Sequence, residues 1–238
     1  MRDTIKDTVY FEKYFKENQR QMEKYQGMVL KIKEEFGVND NRVRTGNIIL
    51  LNNYIDGINC LYSMGADINK ITYIYPKFID VLNQIWNKET SSYIQLLWAV
   101  SLGVLLESNE EIELLSNLVK REELNDYLIE YLLHYQNLDS KETTPEFKYP
   151  SPYKALDKVI HAENEETAVN NLKLYIENEW YNGHNNASWY NSHKSKHDIY
   201  SGYWSYESGA IAKILKLDDK ELENLSYYPY DLVHYKNY

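Results

Sequence analysis

Three histidines fall in one polar, aromatic stretch, YNGHNNASWYNSHKSKHDIYSGY: His184, His193 and His197. The four-residue spacing of His193 and His197 would set two imidazoles on one helix face, the geometry that chelates a divalent metal. No glutamate follows His193, so the HExxH arrangement of a metalloprotease is absent. Lys194 and Lys196 would place positive charge beside a bound cation, and the stretch lacks the apolar residues that anchor a helix. A solvated loop with exposed histidines is the simpler reading. A metal-dependent enzyme using His184, His193 and His197 is the alternative. The second candidate is Glu207, in SGYWSYESGAIAKILKLDD. A carboxylate among Tyr203, Trp204 and Tyr206 could be a general acid with a raised pKa. On a helix from about Trp204, however, Glu207 shares a face with Ala210, Ile211, Ile214 and Leu215, so it points into a core. A buried carboxylate must be hydrogen-bonded, and tyrosine hydroxyls are abundant, so Glu207 reads as a strut. Ser208, Gly209, Ala210 and Ala212 would let another segment approach that helix closely. The one cysteine, Cys60, lies in an apolar stripe and reads as a core thiol. No phosphate-cradling glycine motif and no GxSxG elbow occur.

The elements that would position these residues are helices. Phe11, Phe15, Asn18, Met22, Tyr25, Val29, Ile32 and Phe36 follow alternating four- and three-residue steps along one face of a long first helix. Asn18 is its one polar member. Gly37 ends it and Asn39 or Asp40 caps the next, whose stripe is Ile48, Leu51, Ile55, Ile58 and Tyr62. Gly65 stops this second helix and Asp67 opens a third element. Pro76 suits the first turn of a helix running to about Trp86. The run Tyr93 to Leu106 is too short for a bilayer, which takes roughly 20 residues, and predicts a buried core helix. Ser108 and Glu111 fit a capping box. A helix follows through Leu118, and another covers Leu124 to Leu133. Asp139 to Tyr153, with Pro145, Pro150 and Pro152, predicts a surface loop. Helices resume near Tyr153 and from Asn164 to Trp180. Residues 182–198 are largely loop, and a last helix runs from about Trp204 to Lys216. No strand pattern or internal repeat is visible. The expectation is an all-α fold: a two-part helical bundle with a long N-terminal helix and a loop-rich C-terminal helical domain, divided as 1–120 and 121–238.

Composition agrees. Gly and Pro number only 9 and 5, against 43% hydrophobic and 26% charged residues, which favours helical globular structure over disorder. The net charge of -10 disfavours direct nucleic-acid binding and favours a basic partner. Residues 1–100 carry 13 Lys and Arg against 12 Asp and Glu, and residues 101–238 carry 13 against 24, so the acidity belongs to the second half. The 24 tyrosines suit wet cores and interfaces. The charged N-terminus lacks a signal-peptide h-region, and no membrane span is expected, so a soluble cytoplasmic protein is predicted.

The stretch YSGYWSYESGAIAKILKLDD followed by YYPYDLVHY resembles the C-terminal domain of PoNi-type immunity proteins. The residues that carry the likeness are Gly202, Tyr203, Trp204, Glu207, Ala210 to Ile214, Asp218, Asp219 and Tyr228, Pro229, Tyr230, Asp231 and Leu232, with Trp180 and Tyr181 as the preceding Trp-Tyr. RDTIKDTVYFEKYF, RVRTGNIILLNNYIDGINCLYSMGADI, YPKFIDVLNQIW and LLWAVSLGVLLE resemble the companion N-terminal domain. The family often has Glu-Ala-Ala-Ala where this chain has Glu-Ser-Gly-Ala. The resemblance implies two helical domains, no enzymatic activity and no cofactor. It implies that the partner is a cognate PoNe-type DNase toxin of the PD-(D/E)xK fold, delivered between competing bacteria. Nothing in the sequence supports a homo-oligomer, and a helical scaffold for an unrelated partner stays open as a further reading. The motif residues read as structural. The candidate partner surface is the acidic run Glu110, Glu111, Glu113, Glu122, Glu123, Asp126, Glu130, Asp139 and Glu142, with Tyr127, Tyr131, Tyr190 and Tyr200 as aromatic anchors. Such a surface would cover the toxin's basic DNA-binding cleft.

Overall fold

A computed structural model describes residues 1–135 and 146–236. Among the described residues every regular element is helical, in accord with the all-α expectation. The chain forms two compact units: residues 1–91 with 191–203, and residues 92–190 with 204–238. No described helix is long and apolar enough to cross a membrane.

Unit 1 is built on α1 (Thr8–Phe36), α2 (Asn41–Ser63) and α3 (Ile68–Ile85). Each starts at an aspartate, Asp7, Asp40 or Asp67, whose carboxylate accepts a backbone N–H of the first turn. α2 packs against both neighbours, and Leu51, Ile55, Ile58 and Tyr62 of its expected stripe are buried. Ile48, also expected in that stripe, is exposed, and Gly46, Asn47 and Leu50 take the inward positions. On α1, Phe11, Asn18, Met22 and Val29 are buried, and Phe36, past the last packed turn, is exposed. Asn18 Nδ2 donates to the Asn53 carbonyl at 3.0 Å, which fixes the register of α1 on α2. Pro76 lies mid-helix in α3, not in a first turn. Asp67 caps the helix earlier than the proline. The buried face of Ile71, Ile74, Tyr75, Phe78, Ile79 and Leu82 carries the helix through, against a mid-helix proline cost of about 3 kcal/mol.

Unit 2 centres on α4 (Tyr93–Leu106), whose bounds are those expected from the apolar run. It packs against α5 (Asn109–Arg121), α6 (Tyr127–Leu133), α11 (Tyr206–Leu215) and α12 (Tyr230–Val233). Two lysines satisfy its C-terminal carbonyls: Lys213 Nζ donates to Leu105 O at 3.1 Å and Lys236 Nζ to Leu106 O at 3.0 Å. α5 begins after Ser108 as expected, but the serine side chain makes no capping bond, so the capping box is not formed. α6 begins three residues later than expected because Asp126 caps it. The short α7 (Pro150–Tyr153) and α8 (Asp157–Ile160) follow. Pro152 and Tyr153 are buried, so the end of the expected surface loop belongs to the core. Pro145 lies outside the described residues. α9 (Glu165–Leu174), capped by Asn164, runs into a π-helical segment Tyr175–Trp180 and α10 (Tyr181–Gly183).

Two glycines of the α1–α2 hairpin should respond oppositely to a methyl group. A Cβ at Gly46 would strike Val29 Cγ2 in the packed seam, whereas Gly27 has nothing within 4 Å. Urea unfolding in dilute solution should find Gly46→Ala destabilised by about 1–3 kcal/mol. Gly27→Ala should be stabilised by about 0.5–1 kcal/mol through helix propensity. Equal effects of one sign would contradict the seam.

Candidate functional site

The three histidines are not gathered into one site. His184 belongs to unit 2, and His193 and His197 to unit 1. His184 is buried. Its Nδ1–H donates to the Trp180 carbonyl at 2.6 Å, which leaves Nε2 to accept the Tyr153 hydroxyl at 2.8 Å. Burial holds its pKa below the usual value, in keeping with this neutral tautomer. His193 Nδ1 meets the Tyr203 hydroxyl at 2.9 Å, and His197 is exposed. The pair sits on a short 3-10 turn, Ser192–Lys194, and the irregular chain after it, so no helix face presents both. Among the described residues no three His, Cys, Asp or Glu side chains come together as a metal site. Cys60 is buried, its thiol within reach of the Phe11 carbonyl at 3.4 Å and pushed up to about 12 by burial.

Glu207 is fully buried in the first turn of α11. Its Oε1 accepts the Tyr175 hydroxyl at 2.8 Å and the Ser205 hydroxyl at 2.9 Å. The indole N–H of Trp180 also favours the charged form of this carboxylate, although neither it nor Oε2 reaches full hydrogen-bond geometry. Burial nonetheless pushes the Glu207 pKa above the ordinary carboxylate range. The π-helical turn explains how Tyr175 and Trp180 act on one group. Residues five apart diverge around an α-helix, and the wider i to i+5 turn brings them toward one side. Ser205 precedes α11 without capping it because its hydroxyl is spent on Glu207. Gly209 allows close packing here: a Cβ would come within 2.6 Å of Pro229 Cγ. Trp180, Tyr203, Trp204, Tyr228 and Pro229 are buried, Tyr230 is half-buried and Asp231 exposed, and Gly202 has φ +123. Asp219, buried, accepts from the Tyr228 hydroxyl and from His234 Nε2, at 2.5 and 2.8 Å, and so ties down α12.

The expected partner residues divide. Glu110, Glu113 and Glu123 are exposed, and Glu111, Glu122, Glu130, Tyr127 and Tyr190 are partly so. Asp139 and Glu142 lie outside the described residues. Asp126 is not a surface acid: it is fully buried, with Oδ1 accepting from the Tyr93 hydroxyl and the Ile129 N–H and Oδ2 from the Lys148 N–H. Tyr131 and Tyr200 are buried as well, so neither is a surface anchor. Tyr200 is a core residue of unit 1, where its hydroxyl donates to Asp3 Oδ2 at 2.5 Å. Sequence reasoning missed what surrounds Tyr127: Phe147 at 4.9 Å and His161 at 6.2 Å between ring centroids, with Asp157 close enough to raise the Tyr127 pKa after burial. His161 in turn pairs with Asp157 at 3.1 Å. The i, i+4 spacing of Asp157 and His161 was a readable signal, but nothing local links either to Tyr127.

Residues 191–203 form a strap on unit 1. The Tyr10 hydroxyl donates to the Tyr200 carbonyl at 2.9 Å and accepts the Tyr200 N–H at 3.0 Å. Lys13 pairs with Asp198 at 2.7 Å, the Ser63 hydroxyl donates to Ser201 O at 3.1 Å, and the Ser201 hydroxyl donates to Asp56 Oδ1 at 2.9 Å. Asp56 is pushed up from 3.8 to about 6 by burial, against the opposing hydrogen bonds of Ser201 and Tyr14.

Comparison with known proteins matches residues 2–118 to the N-terminal and residues 124–232 to the C-terminal family of PoNe immunity proteins. The chain belongs to the PoNi family of immunity proteins. Family membership assigns it an immunity function against PoNe toxins. No curated protein matches in sequence. Among solved structures, the crystal structure of protein PA2201 from Pseudomonas aeruginosa is similar, with a TM-score of 0.66 at 16% identity over 92% of this chain and 87% of that one. A likeness at that identity establishes the fold alone.

In this PoNi chain, replacement of Glu207 tests the strut. Glu207→Ala should lose about 1–3 kcal/mol of stability, since Tyr175 and Ser205 are left unpaired in the core. Glu207→Gln, which keeps an acceptor, should lose less in the same denaturant titration. Full stability with lost toxin binding would instead make Glu207 a contact residue.

Asp56 gives a pH signature. With its pKa raised from 3.8 to about 6, the folded chain holds a proton that the unfolded chain has released between those values. Its contribution to stability therefore falls as pH rises through that window. Asp56→Asn should flatten the slope of unfolding free energy between pH 4 and 6. An unchanged slope would show that Asp56 is ordinarily solvated.

Proposed function

We propose that the protein neutralises a PoNe-type DNase toxin by stoichiometric binding rather than catalysis, with an acidic and aromatic surface of unit 2 covering the toxin's basic DNA-binding cleft. The observation that carries this reading is the charge division. Unit 2 has 11 Lys and Arg against 23 Asp and Glu, while unit 1 has 15 against 13. A cleft that holds phosphates is basic, so an acidic face is attracted to it over several ångströms of screened solvent. Glu110, Glu113 and Glu123 stand exposed for that task. The half-buried rings of Tyr127 and Phe147, with the exposed His161 stacked on Tyr127 beside Asp157, supply aromatic area of the kind that carries interface energy. Catalysis has few groups to draw on: Glu207, Asp126 and His184 are each engaged in hydrogen bonds that hold the fold together.

Binding kinetics against the toxin separate the two contributions. Glu110→Lys/Glu113→Lys/Glu123→Lys should slow association and weaken its salt dependence, because rim charges act on encounter. Tyr127→Ala/Phe147→Ala should speed dissociation about tenfold or more. An unchanged rate and salt slope in the first variant would exclude these acids as the docking surface and direct attention to residues 182–198.

A further inference from the structure

The outward face of α1 has no use in the toxin-binding reading. Its seven central residues, Arg20, Glu23, Lys24, Gly27, Leu30, Lys31 and Glu34, are all exposed, opposite the buried Asn18, Met22 and Val29. Two features distinguish this face from an ordinary solvated one. Gly27 sits in the middle of a 29-residue helix with nothing within 4 Å of a Cβ, so neither packing nor backbone geometry within the chain calls for a glycine there. It costs the helix about 1 kcal/mol relative to alanine. One turn away, on the same face, Leu30 is 59% exposed.

The charges are arranged symmetrically about that glycine. If α1 is laid antiparallel on a copy of itself with the two Gly27 residues crossing, residues equally far from the centre face each other. Arg20 then comes level with Glu34 and Glu23 with Lys31, each within reach of the other's long side chain. A two-fold axis repeats every pair, which gives four oppositely charged pairs and two leucines lying over the partner's Gly27 backbone. Lys24 and Lys31 of the second copy come nearly level on one side of the seam, a like-charged contact that keeps the pairing weak. Glycine at the crossing lets the helix axes approach more closely than any side chain would. The pairs that these groups make within the chain, Arg20 with Glu17 at 2.7 Å and Lys31 with Glu35 at 3.9 Å, are exposed and readily exchanged.

We propose that α1 is a self-association surface, on which two copies of the protein pair antiparallel across Gly27. The interface is narrow and mostly polar, so the dimer is weak, salt-sensitive and formed only at high protein concentration. This inference does not rest on the toxin-binding reading.

Sedimentation equilibrium of the full chain at low and high salt tests it. The expected result is a monomer–dimer equilibrium that weakens with salt. Gly27→Trp should abolish the dimer while leaving helicity intact, since open space surrounds the position. Glu23→Lys should weaken the dimer about tenfold, as it turns two attractive pairs into repulsive ones. The combined Glu23→Lys/Lys31→Glu exchange should restore it. A monomer at every concentration in low salt would overturn the proposal. So would a dimer indifferent to Gly27→Trp, or a failure of the exchange to rescue. A monomeric protein in which Gly27→Trp abolishes toxin binding would assign the face to the toxin and overturn it equally.

Discussion

A carboxylate with no access to water organises unit 2. Burying Glu207 raises its pKa, and the surroundings are arranged to contain that cost. The start of α11 provides backbone N–H groups and the positive end of a helix dipole. Ser205 gives up capping to donate its hydroxyl. A π-helical turn carries Tyr175 and Trp180 to the same side. Removing one of these donors leaves the buried carboxyl group less well satisfied, so the aromatic, polar constellation around it is tied to the packing of the core. Asp126, tied to Tyr93, repeats the device at the start of α6.

Much of this architecture can be read from sequence where the signal is local. The bounds of α4 follow from an uninterrupted apolar run, and the burial of Glu207 from its helical spacing to Ala210 and Ile211, although Tyr206 to Ala212 are buried all round and Ile214 and Leu215 only partly. The failures have a common cause: contacts between residues far apart in the chain. Asp126 looks like one more acid in an acidic run, and only Tyr93, 33 positions away, and Lys148, 22 away, mark it as buried. Tyr200 looks like a surface tyrosine until Tyr10 and Asp3 enclose it. Pro76 suggests a helix start because proline normally demands one, but a buried face of six residues outweighs the missing hydrogen bond.

The surface obeys a different economy from the core. Acids that cap helices or anchor tyrosines are fixed by the fold, and only those left exposed are available to a partner. The distinction trims the acidic run of unit 2 to a smaller set and adds the Tyr127 cluster, which no periodicity advertised. Charge alone therefore overstates the number of acids that are free to meet a partner.

The strap has a consequence for how such chains can be recombined. The two matched families meet between residues 118 and 124, yet the compact units part at 91 and part again at 190 and 203. A crossover between the family halves would leave α4 and α5 on one fragment and α11, which packs on α4, on the other. It would also separate Tyr10, Ser63 and Asp56 from the strap residues they hold. Chains assembled by swapping the halves would inherit mismatched cores, at the α4–α11 contact and at the strap.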